Sequence, residues 1–110
     1  MSDATLDIAL AQVDTAPRQP AANLDKIVGY ADQYADRVDL LAFPEYATCG
    51  HGLGEAYFDL ALRTDGPAFE RLLEASHRTA MAVGFVEEND DFHLHNSLAI
   101  LRGGLLQHVH

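Results

Sequence analysis

The segment Asp39-Leu40-Leu41-Ala42-Phe43, closed by Pro44-Glu45, limits what this chain can become more than any other. A short, nearly continuous apolar run of this kind is the pattern of a strand buried on both faces, which belongs to a parallel sheet covered by helices. The residues before it agree. Leu6 to Val13 reads as an apolar strand, and Pro17 and Pro20 mark a loop. A helix is expected from about Ala22 to Ala35, where Leu24, Ile27, Val28, Ala31 and Tyr34 recur at helical spacing. Strand, helix and strand in that order form a βαβ unit with its two strands parallel.

Downstream, Pro44 to Gly54 is a glycine-rich loop and Glu55 to Leu62 a short helix. Gly66-Pro67 opens a further helix over Ala68 to about Thr79, with Phe69, Leu72, Leu73 and Ala80 as its apolar stripe. Met81 to Val86 is expected as a third strand, Glu87 to Asp91 as a polar hairpin tip and Phe92 to Leu101 as a fourth strand. Arg102-Gly103-Gly104 makes a tight turn into a fifth strand, Leu105 to His110. The fold class is α/β. The chain stops while an apolar alternating strand is still running, so residues 1–110 are expected to form part of a domain, leaving apolar sheet surface and an unpaired edge uncovered.

Composition narrows the partners. The 110 residues are 48% apolar, enough for a modest core and too many for a disordered chain. Acidic residues outnumber basic ones 17 to 7, for a formal charge of −10. Nucleic acid and anionic membrane both need clustered cations, so neither is expected as a partner. The only cysteine, Cys49, has no internal partner for a disulfide, and Met1-Ser2-Asp3-Ala4 lacks the pattern of a signal peptide, which favours a reducing cytoplasm. No apolar stretch approaches the length needed to span a bilayer.

Glu45 is the first candidate for chemistry. It follows the second strand, and the carboxyl ends of strands carry the ligand sites of open α/β sheets. Wedged between Phe43 and Tyr46, its carboxyl is expected to be buried and to lose hydration, which would suit a general base near neutral pH. From position alone, a solvated loop glutamate or a helix cap fits equally well. His93-Leu94-His95 and His108-Val109-His110 each place two imidazoles on one strand face, but no cysteine or carboxylate accompanies them, so no metal is assigned.

Taken in order, Ile8 to Val13, Asn23-Leu24 opening a helix and Asp39 to Glu45 resemble the start of the nitrilase superfamily of carbon–nitrogen hydrolases. Gly66-Pro67, Gly84-Phe85-Val86-Glu87, Asn96-Ser97 and Gly103-Gly104 continue the resemblance over essentially the whole chain. It implies the first part of an αββα sandwich, with helices on one side of a mixed sheet. It also implies hydrolysis of a non-peptide carbon–nitrogen bond in a small amide, nitrile or carbamoyl compound, with no cofactor and with self-association into homo-oligomers. The family works with a Glu-Lys-Cys triad. Its glutamate maps onto Glu45, whereas its lysine and cysteine map beyond His110, so the 110 residues by themselves are expected to be inactive.

In the loop after Glu45, Tyr46, Cys49 and His51 are candidate substrate-loop residues. The family has serine or threonine where Cys49 stands and an aromatic where His51 stands. Cys49 could be a relocated nucleophile or a small residue packed in the loop, and packing is the simpler reading. Lys26, the only lysine, belongs to a helix ahead of the site and is a poor substitute for the triad's lysine. Two other classes stay open. One is a non-catalytic nitrilase-like remnant or interaction module. The other is a nucleotide-binding α/β domain, suggested by Gly50-His51-Gly52-Leu53-Gly54 after a strand, although Glu55 stands where the third glycine would be needed.

Overall fold

A computed structural model describes residues 4–110. Five strands form one sheet in the order β1-β2-β3-β4-β5. They are β1 (Ile8–Leu10), β2 (Leu40–Ala42), β3 (Met81–Glu88), β4 (Leu94–Arg102) and β5 (Leu105–Val109). The βαβ expectation holds: β1 pairs with β2 and β2 with β3 in parallel, joined through the helices α1 (Pro20–Gln33) and α3 (Pro67–Ala75). β3, β4 and β5 are successive antiparallel hairpins.

One face of the sheet carries the core. Leu24, Ile27 and Ala31 of α1 and Phe69, Leu72 and Ala75 of α3 recur three or four residues apart, so each helix turns a single stripe inward. Against them the strands send every second side chain: Leu41 from β2, Met81, Val83 and Phe85 from β3, and Ala99 and Leu101 from β4. The Phe69 and Phe85 rings meet edge to face at 4.9 Å. Leu73 is only partly buried, and Ala80 lies past the helix rather than on its stripe.

The opposite face is open. Leu40 and Ala42 are half-buried, and Ile8 and Leu10 are 49% and 79% exposed. β2 is therefore covered on one face only, a correction to the expectation of burial on both. On this outer face Ala82 is buried, and a satellite cluster is sealed where Cys49 and Leu53 fold back over Val86. The expected uncovered apolar sheet surface is thus present, and β1 is an edge strand paired only to β2.

Several boundaries move for identifiable reasons. Strand pairing of β1 covers Ile8–Leu10 rather than Leu6 to Val13. Pro20 belongs to α1, not to the loop, because at the first helical position its missing N–H is no loss. The hairpin tip lies two residues further on than expected. Pairing runs on to Glu88 opposite Leu94, and Asn89 Oδ1 closes the turn by accepting from the backbone N–H groups of Asp91 and His93 at 3.0 and 2.9 Å. The expected helix over 55–62 breaks into a 3₁₀ turn (Gly54–Ala56) and a single α-turn, α2 (Tyr57–Leu60). Leu62 then pairs beside Glu87, extending the β2 edge of β3. α3 ends at Ala75, where the β4–β5 turn docks: Gly103 N–H donates to the Ser76 carbonyl and Gly104 N–H to Ser76 Oγ.

Candidate functional site

The site is built on the outer face, where the chain leaves β2. Along its β2 edge, β3 accepts three successive hydrogen bonds: Phe43 N–H to the Ala82 carbonyl, Ala47 N–H to Gly84 at 2.9 Å and Leu62 N–H to Val86 at 2.8 Å. Between the first two, the backbone of Pro44, Glu45 and Tyr46 crosses over Gly84. A Cβ placed on Gly84 would lie 2.6 Å from the Pro44 carbonyl oxygen and 2.8 Å from Glu45 Cα. Glycine at this point of an otherwise apolar strand therefore makes room for the turn that carries Glu45. Tyr46 completes the turn with a positive φ of 55°.

The turn is tied down from the other side by Asn23, which is buried in the first turns of α1. Its Nδ2 donates to the Ala16 carbonyl at 2.8 Å and the Thr48 carbonyl at 3.1 Å, while its Oδ1 accepts from Ala16 N–H at 2.8 Å. Arg18 N–H adds a bond to the Cys49 carbonyl. One side chain thus joins the loop after β1 to the loop after β2.

Glu45 stands at the carboxyl end of β2, as expected, but its side chain is 54% exposed. The expectation of burial is corrected. Phe43 turns into the helix-side core, and nothing described covers the outer face above the carboxylate. Its two oxygens have different partners. Asn96 Nδ2 of β4 donates to Oε1, and His51 Nε2 lies 3.5 Å from Oε2. Tyr46 turns its ring to the edge of His51 at 4.9 Å and against Tyr57 at 5.2 Å. Loss of hydration, then the neighbouring Tyr57 and Glu45, push the Tyr46 phenol up.

Cys49 is brought near this loop but not into the site. It is fully buried, packed with Leu53 and Val86. Burial pushes its thiol up, opposed in part by the neighbouring Thr48 hydroxyl. A nucleophile must present a thiolate, so Cys49 is a packing residue. It should react with a thiol reagent at pH 7 several-fold more slowly than after unfolding in urea, and equal rates in the two conditions would contradict its burial. Lys26 Nζ bonds to the Asp14 carbonyl, away from Glu45. Among the described residues, no three His, Cys, Asp or Glu side chains come together to hold a metal. His95 pairs with Asn89, and the His108 and His110 rings lie 6.4 Å apart. The glycine loop leads into a 3₁₀ turn and a four-residue helix, too short to present the dipole that a nucleotide phosphate uses.

Asn96, Asn23 and Gly84 are the residues whose roles in the site the chain pattern does not announce. All three fall within motifs of the resemblance, and Gly84 carries a further local signal as a lone glycine inside an apolar strand. No described helix is long and apolar enough to cross a membrane.

Comparison with known proteins agrees with this geometry. The profile of the carbon–nitrogen hydrolase family matches residues 7–108. A CN-hydrolase superfamily protein from Xanthomonas campestris, solved with an arsenic adduct in its active site, is 28% identical with a TM-score of 0.82 over 93% of this chain. A glutamine-dependent NAD+ synthetase from Acinetobacter baumannii is 26% identical with a TM-score of 0.79 over 96% of the chain. An N-terminal amidase bound to an Asn-Glu-Ala peptide has the same fold, with a TM-score of 0.81 at 20% identity over 96% of the chain. This chain spans 38%, 20% and 27% of the lengths of those three structures. A search of curated protein sequences finds no match. With residues 7–108 of the 110 inside the profile, the chain belongs to the carbon–nitrogen hydrolase family.

Proposed function

We propose that this chain carries the general base of a carbon–nitrogen hydrolase acting on a small amide, nitrile or carbamoyl compound, and that Glu45 is that base. The observation that carries the reading is the Glu45 carboxylate, held on the open sheet face at the end of β2 by a donor from β4. In the Glu-Lys-Cys mechanism, the carboxylate takes the proton of a cysteine thiol and the thiolate attacks the substrate carbon. A lysine stabilises the negative charge that develops on the substrate oxygen or nitrogen. For an amide, the carboxyl returns its proton to the leaving nitrogen as the C–N bond breaks, then takes a proton from the water that hydrolyses the thioester and gives it to the departing cysteine sulfur. The lysine and cysteine belong to positions that the 110 residues do not contain.

The test supplies those positions. The chain is joined to the lysine- and cysteine-bearing remainder of a family member and assayed on small amides and nitriles. Glu45→Gln should lower turnover by about 10²-fold or more, the range of general acid–base catalysis. Unchanged turnover in that variant would remove Glu45 from the reaction.

Residues 1–110 form a partial domain in this reading. The purified chain by itself is therefore expected to show no turnover and to sediment as an oligomer, because Ile8, Leu10 and Leu98 leave apolar surface in water. Turnover abolished by Cys49→Ala would overturn the assignment of Cys49 as packing. The single cysteine supports a reducing, cytoplasmic setting. A second reading, a non-catalytic remnant that uses the open face for binding, would be favoured by an inactive joined protein.

A further inference from the structure

The pairing register of β3 and β4 has a consequence for Glu45. Gly84 lies opposite Leu98 and Val86 opposite Asn96, so Asn96 and the vacant side-chain position of Gly84 share the outer face, one diagonal apart. The Pro44–Tyr46 backbone occupies that vacancy. An amide projecting from Asn96 therefore meets a carboxylate projecting from Glu45, and a slip of one residue in the register would turn Asn96 to the helix side. Few other side chains at this position could do the same work. A hydroxyl is too short to reach from a strand to a neighbouring turn, and a carboxylate would repel Glu45.

We propose that Asn96 is the positioning residue of Glu45. By donating to Oε1 it fixes the carboxylate plane and leaves Oε2 as the proton-accepting oxygen, with the exposed His51 ring as its hydrogen-bonding neighbour among the described residues. The proposal rests on the reading of Glu45 as the base. A base oxygen must sit within hydrogen-bond reach of the proton it takes, and an exposed glutamate with three free torsions spends little time in any one orientation. The partners of the two oxygens differ accordingly. Both residues are exposed, but Asn96 sits on a paired strand within the β3–β4 ladder, whereas His51 stands in a glycine-rich loop and 3.5 Å away. The first is built to hold and the second is free to leave.

The experiment reads the side-chain conformation of Glu45 by NMR in the 110-residue chain. The three-bond Hα–Hβ couplings of Glu45 are expected to be unequal in the wild type, reporting one rotamer. They should converge to averaged values in Asn96→Ala and stay unequal in His51→Ala. The backbone spectrum of β3 and β4 reports whether each variant is folded. If Asn96→Ala does not fold, the wild type still decides the matter. The Asn96 side-chain amide resonances should move as Glu45 takes up its proton on acidification, and this movement should vanish in Glu45→Gln. Averaged couplings in the wild type, couplings unchanged in Asn96→Ala, or Asn96 amide resonances indifferent to pH would each overturn the proposal. Turnover is not read here, so failure removes the role of Asn96 without touching the assignment of Glu45. Failure of that assignment would leave these couplings as they are.

Discussion

Gly84→Ala is expected to destabilise the chain by about 2–3 kcal/mol, the upper part of the range for forcing extra volume into a packed site. The methyl would lie 2.6 Å from the Pro44 carbonyl oxygen, 2.8 Å from Glu45 Cα and 3.1 Å from Tyr46 N. All three are backbone atoms, so no side chain can swing aside to relieve the contact. Either the turn lifts from β3, losing the Ala47 N–H bond to the Gly84 carbonyl, or β3 bends away from the core formed by Val83 and Phe85. At about 4–8 °C per kcal/mol for a domain of this size, the melting temperature should fall by roughly 10–20 °C. Gly29 is the internal control. It lies on the exposed side of α1 with nothing within 4 Å of an added Cβ, so Gly29→Ala should stabilise by about 0.5–1 kcal/mol through helix propensity and unfolded-state entropy. Melting of the two variants beside the wild type decides the matter. Equal shifts in one direction would mean that the close approach at Gly84 is not what holds the turn.

What could be read from the chain, and what could not, divides along the same lines. The apolar periodicity of α1 and α3 and the apolar runs of β2 and β3 depend only on local spacing, and they place these helices and strands and the helix-side core. Pairing and turn chemistry set the boundaries, and these depend on partners far along the chain. Asn89 looked like part of a solvated acidic tip, and only its bonds to Asp91 and His93 show that the tip begins there. At the site, the position of Glu45 was legible because a strand end is a local feature. Its exposure was not. Phe43 and Tyr46 flank it in the chain, yet one ring turns into the core and the other toward His51 and Tyr57. Phe43 leaves the site altogether, and Tyr46 stays beside Glu45 without covering it. Asn96 was visible as a strand residue within a family motif, but its contact with Glu45 was not, since that contact spans 51 positions and depends on a register that no single segment encodes.

Asn23 should prove the most sensitive polar residue of the chain. It is buried, and all three of its bonds go to backbone groups of two different loops. Asn23→Ala leaves the Ala16 N–H and the Ala16 and Thr48 carbonyls without that partner. Stranded buried groups cost about 1–3 kcal/mol each, and water reaching the partly buried Ala16 offsets some of this, so a loss of about 3 kcal/mol is expected. Asn23→Asp is the sharper experiment because it keeps size and shape. One oxygen still accepts from Ala16 N–H, but the other now faces two carbonyl oxygens where an amide donated at 2.8 and 3.1 Å. The N-terminal end of α1 favours a negative charge by only about 0.3–1 kcal/mol, which is less than the cost of pointing a buried carboxylate at two carbonyls. The folded state should therefore favour the protonated carboxyl, raising its folded pKa above the ordinary aspartate value of about 3.9. By linkage, the resulting destabilisation is fully present above that folded pKa and shrinks as pH falls towards the unfolded value. The stability gap between wild type and Asn23→Asp, measured by urea unfolding, should thus be wide at pH 7 and narrow near pH 4, where a protonated oxygen can donate to one carbonyl again. A gap independent of pH would mean that the residue at position 23 does not face those carbonyls, and the two loops would then need another tie.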